Sequence, residues 1–248
     1  VLSARALDGI PEVGTGDDLP AVIAGCLSDP LSATDVLVIA HKIVSKAEGR
    51  TRRLRDVVAT ARAVELGEEL GKDPRHVQVV LDESSEVLRA SQGVLICVTH
   101  RGFVCANAGV DASNVPGEDT VLLHPRDPDA SARALRAGLR ERAGAAPAVV
   151  ITDSFGRAWR HGQCDVAIGC AGLEPLEDWR GRIDTTGREL RATLIAVADQ
   201  LASAADLART KDGRQPAVIV RGAERYVIAA DGPGAAALIR PSERDLFR

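Results

Sequence analysis

Methionine is absent from the chain, even at position 1, so the start of the natural protein is expected to be processed, altered or missing. No apolar stretch approaches the roughly 20 residues needed to span a bilayer. The N-terminal VLSARALDGI also lacks the basic region and long apolar core of a signal peptide. A soluble, cytoplasmic protein without a membrane partner is expected. There is no excess of positive charge: 31 Lys and Arg against 35 Asp and Glu give a net charge of -4. That balance argues against a general nucleic-acid binder, while leaving room for local basic sites that take a small anion. Cys26, Cys97, Cys105, Cys164 and Cys170 are odd in number and never spaced C-x-x-C. They read as buried free thiols of a reducing compartment. Neither G-x-x-x-x-G-K-[ST] nor G-x-G-x-x-G occurs between strand and helix, so any nucleotide is held in another way.

What is present is ordinary globular material, with 45% hydrophobic and 27% charged residues in 248 positions. One large domain or two intimately joined lobes both fit that length. Asp35 to Ala40 reads as a buried strand, and so does the run at 148 to 152. Gln78 to Leu81, Val94 to Val98, Phe103 to Ala106 and Ala217 to Val220 are further strand candidates, and Arg101-Gly102 suggests a hairpin. Helical spacing covers Val57 to Leu70 and, over a longer stretch, Glu189 to Ala208. Asp127-Pro128-Asp129 opens another helix, whose inner stripe is Ala132, Leu135 and Leu139. This mixture points to an α+β or α/β protein.

Three segments carry chemistry. In HKIVSKAEGR, a helical turn after the strand puts Lys42 and Lys46 on one face, either as a polyanion cradle or as solvated surface charges. In CANAGVDASNV, Asp111, Ser113 and Asn114 offer hard oxygen ligands of the kind Mg²⁺ and Mn²⁺ take. Equally, they form a turn bonded to its own backbone. In ITDSFGRAWRHGQ an apolar run stops at Thr152-Asp153-Ser154, and a dense polar loop is expected to follow. Aromatics are only 2% of the chain, yet one of its two Trp sits among these basic residues. Asp153 and Ser154 suit a metal, and Arg157 and Arg160 suit a phosphate or carboxylate in forked geometry. The alternative is a structural loop anchored by Trp159, with its arginines paired to acids such as Asp165. His76, His100 and His124 show no ligand spacing and read as surface or satisfied core residues.

GIPEV and GDDL near the N-terminus, then HKIVSKAEGR, NAGVDASNV and ITDSFGRAWRHGQ, stand in an order and spacing that resembles the coenzyme F420-0:L-glutamate ligase family, also called F420 gamma-glutamyl ligase. The likeness continues through AADLARTKDGRQPAVIVRG to LIRPSERDLF. It implies an α+β fold peculiar to the family, two joined lobes in an intertwined homodimer. Residues 1–248 would form one ligase unit, free-standing or the N-terminal half of a longer bifunctional protein. It also implies a GTP-dependent ligase that adds L-glutamate to F420-0 and extends a gamma-linked tail through an acyl phosphate. The cofactors implied are two divalent ions, Mg²⁺ or Mn²⁺, with room for a monovalent cation. Carried over by position, Ile10, Pro11, Glu12 and Val13 line the nucleotide, and His41, Lys42 and Lys46 meet its phosphates. Asn114, Thr210 and Lys211 are further nucleotide contacts. Asp111 and Asp153 match ligands of one metal, and Ser154 matches a ligand of the second. Asp111, Asp153 and Lys46 are the expected catalytic groups, and Arg157, Trp159 and Arg160 are substrate candidates on chemical grounds alone. The alternatives are a ligase of the same fold with another carboxylate acceptor, or a domain that binds nucleotide without turnover.

Overall fold

A computed structural model describes residues 1–113, 117, 119–210 and 212–246; Asn114 and Lys211 lie outside the described residues. In chain order the elements are β1 (Ser3–Ala6), α1 (Leu19–Gly25), β2 (Val36–Ala40), α2 (His41–Ala47), β3 (Thr51–Arg53), α3 (Ala61–Leu70) and α4 (Pro74–Asp82). There follow β4 (Ser84–Ser91), β5 (Val94–Thr99), β6 (Val104–Ala106), β7 (Thr120–Leu122), α5 (Pro128–Ala143), β8 (Ala148–Arg157) and β9 (Arg160–Ala171). The last are β10 (Leu176–Asp178), β11 (Leu194–Ala196), α6 (Val197–Asp206) and β12 (Ala217–Arg221). The fold is therefore α+β, and no described helix is long and apolar enough to cross a membrane.

The main sheet runs β1-β12-β2-β8-β9, with β2 and β8 parallel and the other pairs antiparallel. Strand side chains alternate between faces, and both faces of this sheet are covered. Leu37, Ile39, Val149, Ile151 and Ile219 point into a core shared with α1 and α5. Val36, Val38, Val150, Val218 and Val220 point into a second core beneath α6. A strand buried on both sides reads as an unbroken apolar run, which is why VLVIA was legible as β2. A third core lies elsewhere, where Leu66, Val77 and Val80 of α3 and α4 meet Leu95 and Cys97 of the β4-β5-β6 sheet. All five cysteines are free, and Cys97, Cys105 and Cys170 are buried.

Local signals explain the element ends. Asp127 accepts the Ala130 N–H at 3.0 Å, Pro128 fills the first turn of α5, and Gly144 closes it at φ +72. The β5–β6 hairpin turns at Gly102, whose N–H bonds the Thr99 carbonyl at 2.8 Å.

Four expectations need correction. Gln78 to Leu81 is the end of α4 and not a strand, because Asp73 caps the helix and Pro74 starts it. α3 begins at Ala61, where the Thr60 hydroxyl accepts the Ala63 N–H; Leu54–Asp56 forms a separate 3₁₀ turn. α6 starts only at Val197, since Leu194–Ala196 pairs with β10 as a strand. The polar loop expected after Thr152 is instead the outer half of the β8–β9 hairpin, paired as far as Arg157 and Arg160. Trp159 sits at its tip, 86% exposed with φ +60, and is no core anchor.

Candidate active site

The last register pair of parallel β2 and β8 is Ala40 with Thr152, so the next residues lie just past the end of that pairing, His41 opening α2 and Asp153 still paired with Val166 of β9. The carboxyl ends of parallel strands are where open α/β sheets hold ligands. A third residue arrives from β7. Asp111 and Leu122 exchange backbone hydrogen bonds at 3.0 and 2.8 Å, and the chain leaving that bridge carries His124 to the same place. His124 Nε2 lies 2.8 Å from Asp153 Oδ2, and His41 Nε2 lies 3.4 Å from Asp153 Oδ1. The two imidazoles meet edge to face with centroids 4.8 Å apart. His41 is fixed by a 3.2 Å contact between its Nδ1 and the buried Ser45 hydroxyl. His124 rests on Gly109, where a Cβ would come within 2.1 Å of the ring.

Burial pushes the His41 imidazole below its ordinary range, against the pull of Asp153, and so favours its neutral form. Burial by itself would raise the Asp153 carboxyl; the two histidines outweigh it and hold the group far below the usual carboxylate range. Beside it, burial and the Asp153 charge push the Cys105 thiol up to about 12, which removes it as a nucleophile at neutral pH. His41 Nε2 is buried and makes no hydrogen bond among the described residues. It and the nearest atoms of His124 and Asp153 lie within 4.8 Å of one another. Two imidazole nitrogens and a carboxylate suit a divalent ion that accepts nitrogen, such as Mn²⁺, better than Mg²⁺, which prefers oxygen throughout.

The remaining expected residues fall into neighbouring groups. Lys42 Nζ binds Asp111 Oδ2 at 2.6 Å and the Ser113 hydroxyl at 2.8 Å. Burial by itself would raise the Asp111 carboxyl, but Lys42 and the Ser113 N–H more than offset that and hold it low. Lys46 Nζ reaches Glu12 Oε1 at 2.5 Å, tying α2 to the segment of Ile10, Pro11 and buried Val13. The Ser154 hydroxyl donates to Asp165 Oδ1 at 2.6 Å, and Asp165 also accepts from Thr152 and from Arg209. Arg209 also reaches Thr152 within β8, and the exposed Thr210 follows it. Arg157 bonds the His161 carbonyl within the outer hairpin, and Arg160 is exposed beside Trp159. These three are not brought to Asp153 by any hydrogen bond described. His124 was missed because nothing in sequence links it to Asp153, 29 residues away. The available signal was a polar residue ending the apolar run Val121-Leu122-Leu123, the same pattern that marked Asp153.

Lys42 against Asp111 and Lys46 against Glu12, next to a metal-type donor set past the end of the parallel pairing, form a candidate site for anionic ligands and a cation. Residues 9–222 match the family model described as F420-0:Gamma-glutamyl ligase, and the chain belongs to that family. A protein of Methanothermobacter thermautotrophicus named Coenzyme F420:L-glutamate ligase is 44% identical over 251 residues, covering 100% of this chain and 99% of its own length. Proteins of the same name from Methanopyrus kandleri and Haloarcula marismortui are 46% and 44% identical, covering 96% and 98% of this chain and 94% of their own lengths.

Proposed function

We propose that this chain joins L-glutamate to coenzyme F420-0 in amide linkage, with GTP as the activating co-substrate, and that it extends a gamma-linked glutamate tail. The observation that supports this most is the convergence of Lys42, Asp111 and the His41–His124–Asp153 cluster past the end of the β2–β8 pairing in a member of this family.

A carboxylate is a poor electrophile, so amide formation needs activation. In this reading the acceptor carboxylate attacks the γ-phosphorus of GTP, giving an acyl phosphate and GDP, and the glutamate amine then displaces phosphate. Phosphoryl transfer of this kind rests on positioning and charge neutralisation. Lys42 and Lys46 project from the same face of α2 and bind phosphate oxygens, exchanging their contacts with Asp111 and Glu12 for the nucleotide. Asp153, His41 and His124 would hold a divalent ion, with Asp111 and Ser154 close at hand. Such an ion neutralises phosphate charge when bound. Asp165 orients the Ser154 hydroxyl, and Ser45 orients His41. The outer hairpin presents Arg157 and Arg160 for a carboxylate or phosphate. The working molecule is a cytoplasmic homodimer in this reading, which light scattering tests through a mass of two chains.

The activity is tested by incubating the protein with F420-0, L-glutamate, GTP and Mn²⁺ and analysing the products by mass spectrometry. Glutamylated F420 together with GDP is expected. Glutamate-dependent GDP without glutamylated F420 points to another acceptor, and no GDP at all points to a domain that binds nucleotide without turnover.

A further inference from the structure

His124 also lines a cavity of about 600 Å³ that Asp153 does not line. It is walled by the chain after α2, the β5–β6 hairpin, the end of α4 and residues 123–126. Its size falls in the range of small-molecule pockets. Four arginines line it, Arg50, Arg52, Arg101 and Arg126, against two acids, Glu48 and Glu83. Two of the arginines are committed: Arg50 binds Glu83 at 2.7 Å and Arg101 binds Asp127 at 2.8 Å. Glu48 accepts a hydrogen bond from Ser131. Arg52 and Arg126 have no carboxylate partner among the described residues, and set against the charge of Glu48 they leave the cavity with an excess of positive charge in a chain whose net charge is -4.

We infer that this cavity is an acidic-tail subsite, which takes the carboxylates of a growing gamma-glutamyl chain. The inference rests on the reading of the chain as a glutamate ligase. His124 is the shared residue, lining the cavity while its Nε2 touches Asp153. A tail seated among Arg52 and Arg126 therefore shares the His124 wall with the proposed reacting centre. Guanidinium forks match carboxylates in two-point geometry, and successive glutamyl units present such groups in series. A cleft lined by one sign of charge also concentrates ligands of the other. The nucleotide is placed elsewhere, because Lys42, Lys46 and the 10–13 segment do not line this cavity.

The double variant Arg52→Gln/Arg126→Gln tests the subsite, since both side chains are exposed and their replacement leaves the cores intact. Binding of the dipeptide γ-glutamylglutamate to the substrate-free protein is measured by calorimetry, and KM is measured separately for F420-0, for F420 bearing one glutamate, and for GTP. The dipeptide is expected to bind the parent at least tenfold more tightly than the variant, as loss of charge-assisted contacts implies. KM for the glutamylated acceptor should rise by a similar factor with GTP KM and kcat unchanged, and Arg52→Lys/Arg126→Lys should restore part of the loss. Equal dipeptide binding by parent and variant, or a rise confined to GTP KM, would overturn the subsite. Dipeptide binding that depends on the arginines, in a protein that transfers no glutamate to F420-0, would keep the subsite and defeat the ligase reading instead.

Discussion

At the scale of single residues, the site depends on how two imidazoles are held against one carboxylate. His124→Gln keeps an amide donor for Asp153 but supplies no imidazole nitrogen. Mn²⁺ binding to the substrate-free protein, followed by electron paramagnetic resonance, should weaken about 10- to 100-fold, by analogy with other losses around metal ligands. The nitrogen coupling of one imidazole should vanish from the spectrum, and an unchanged spectrum and affinity would show that the ion bypasses His124. Gly109→Ala probes the same ring from behind. Its φ of +72 and the 2.1 Å approach of a Cβ to His124 Cε1 leave no room for a methyl group. A loss of about 1–3 kcal/mol in urea unfolding, together with weaker Mn²⁺ binding, is expected. A parent-like variant on both counts would mean that the ring moves aside freely. Of these residues, Asp153 was legible because a buried run stops on it; His124 ends a similar run, but only the Asp111–Leu122 bridge shows that it comes to Asp153.

At the scale of elements, sequence signals worked where a cap and an apolar stripe agree. Asp127-Pro128 marked α5 correctly; Asp73-Pro74 is the same signal, and Asp73 caps α4 through the Arg75 N–H at 2.8 Å, over a stretch whose Gln78 to Leu81 reads as a strand. The outer β8–β9 hairpin was illegible because it is exposed from Gly156 to Gln163, so no apolar alternation marks its strands. The capping aspartates have a consequence for acid stability. The Ala21 N–H holds Asp18 low, the Arg75 guanidinium does the same for Asp73, and the Ala130 N–H does so for Asp127. A carboxyl whose folded pKa is depressed contributes stability that is fully present above the unfolded value of about 3.9 and is lost as pH falls through the folded value. The urea midpoint should therefore be insensitive to these groups between pH 5 and 7 and should drop below about pH 4. Asparagine caps a helix about as well as aspartate but does not titrate. Asp73→Asn/Asp127→Asn should accordingly make the acid slope shallower, and a slope equal to the parent's would show that the caps do not set it.

At the scale of the whole molecule, one buried ion pair connects the main sheet, the outer hairpin and the loop after α6. Asp165 on β9 is 1% exposed and accepts from Thr152 and Ser154 on β8, and the Arg209 guanidinium closes the set from beyond α6. The Ser203 hydroxyl of α6 adds a bond of 2.9 Å to the Asp165 carbonyl. Gln215 extends the connection to Asp8 at 2.6 Å, so the 209–215 loop is held at both ends. The sequence marks Thr152 and Ser154 as the end of an apolar run and offers Asp165 as an arginine partner, but the pairing with Arg209, 44 residues further on, is visible only in the fold. Arg209→Ala removes the guanidinium partner of a buried carboxylate, and breaking a buried pair this way costs about 3–5 kcal/mol. Arg209→Ala/Asp165→Asn removes the buried charge along with the guanidinium and keeps hydrogen-bonding partners for the Thr152 and Ser154 hydroxyls. The double variant should therefore be more stable in urea than Arg209→Ala alone, even though it carries one more substitution. GTP KM should stay raised in both variants if the loop belongs to the nucleotide site, because neither restores the tether. Additive losses in stability would show that Arg209 acts through packing of its stem, while recovery of GTP KM in the double variant would separate the loop from the nucleotide.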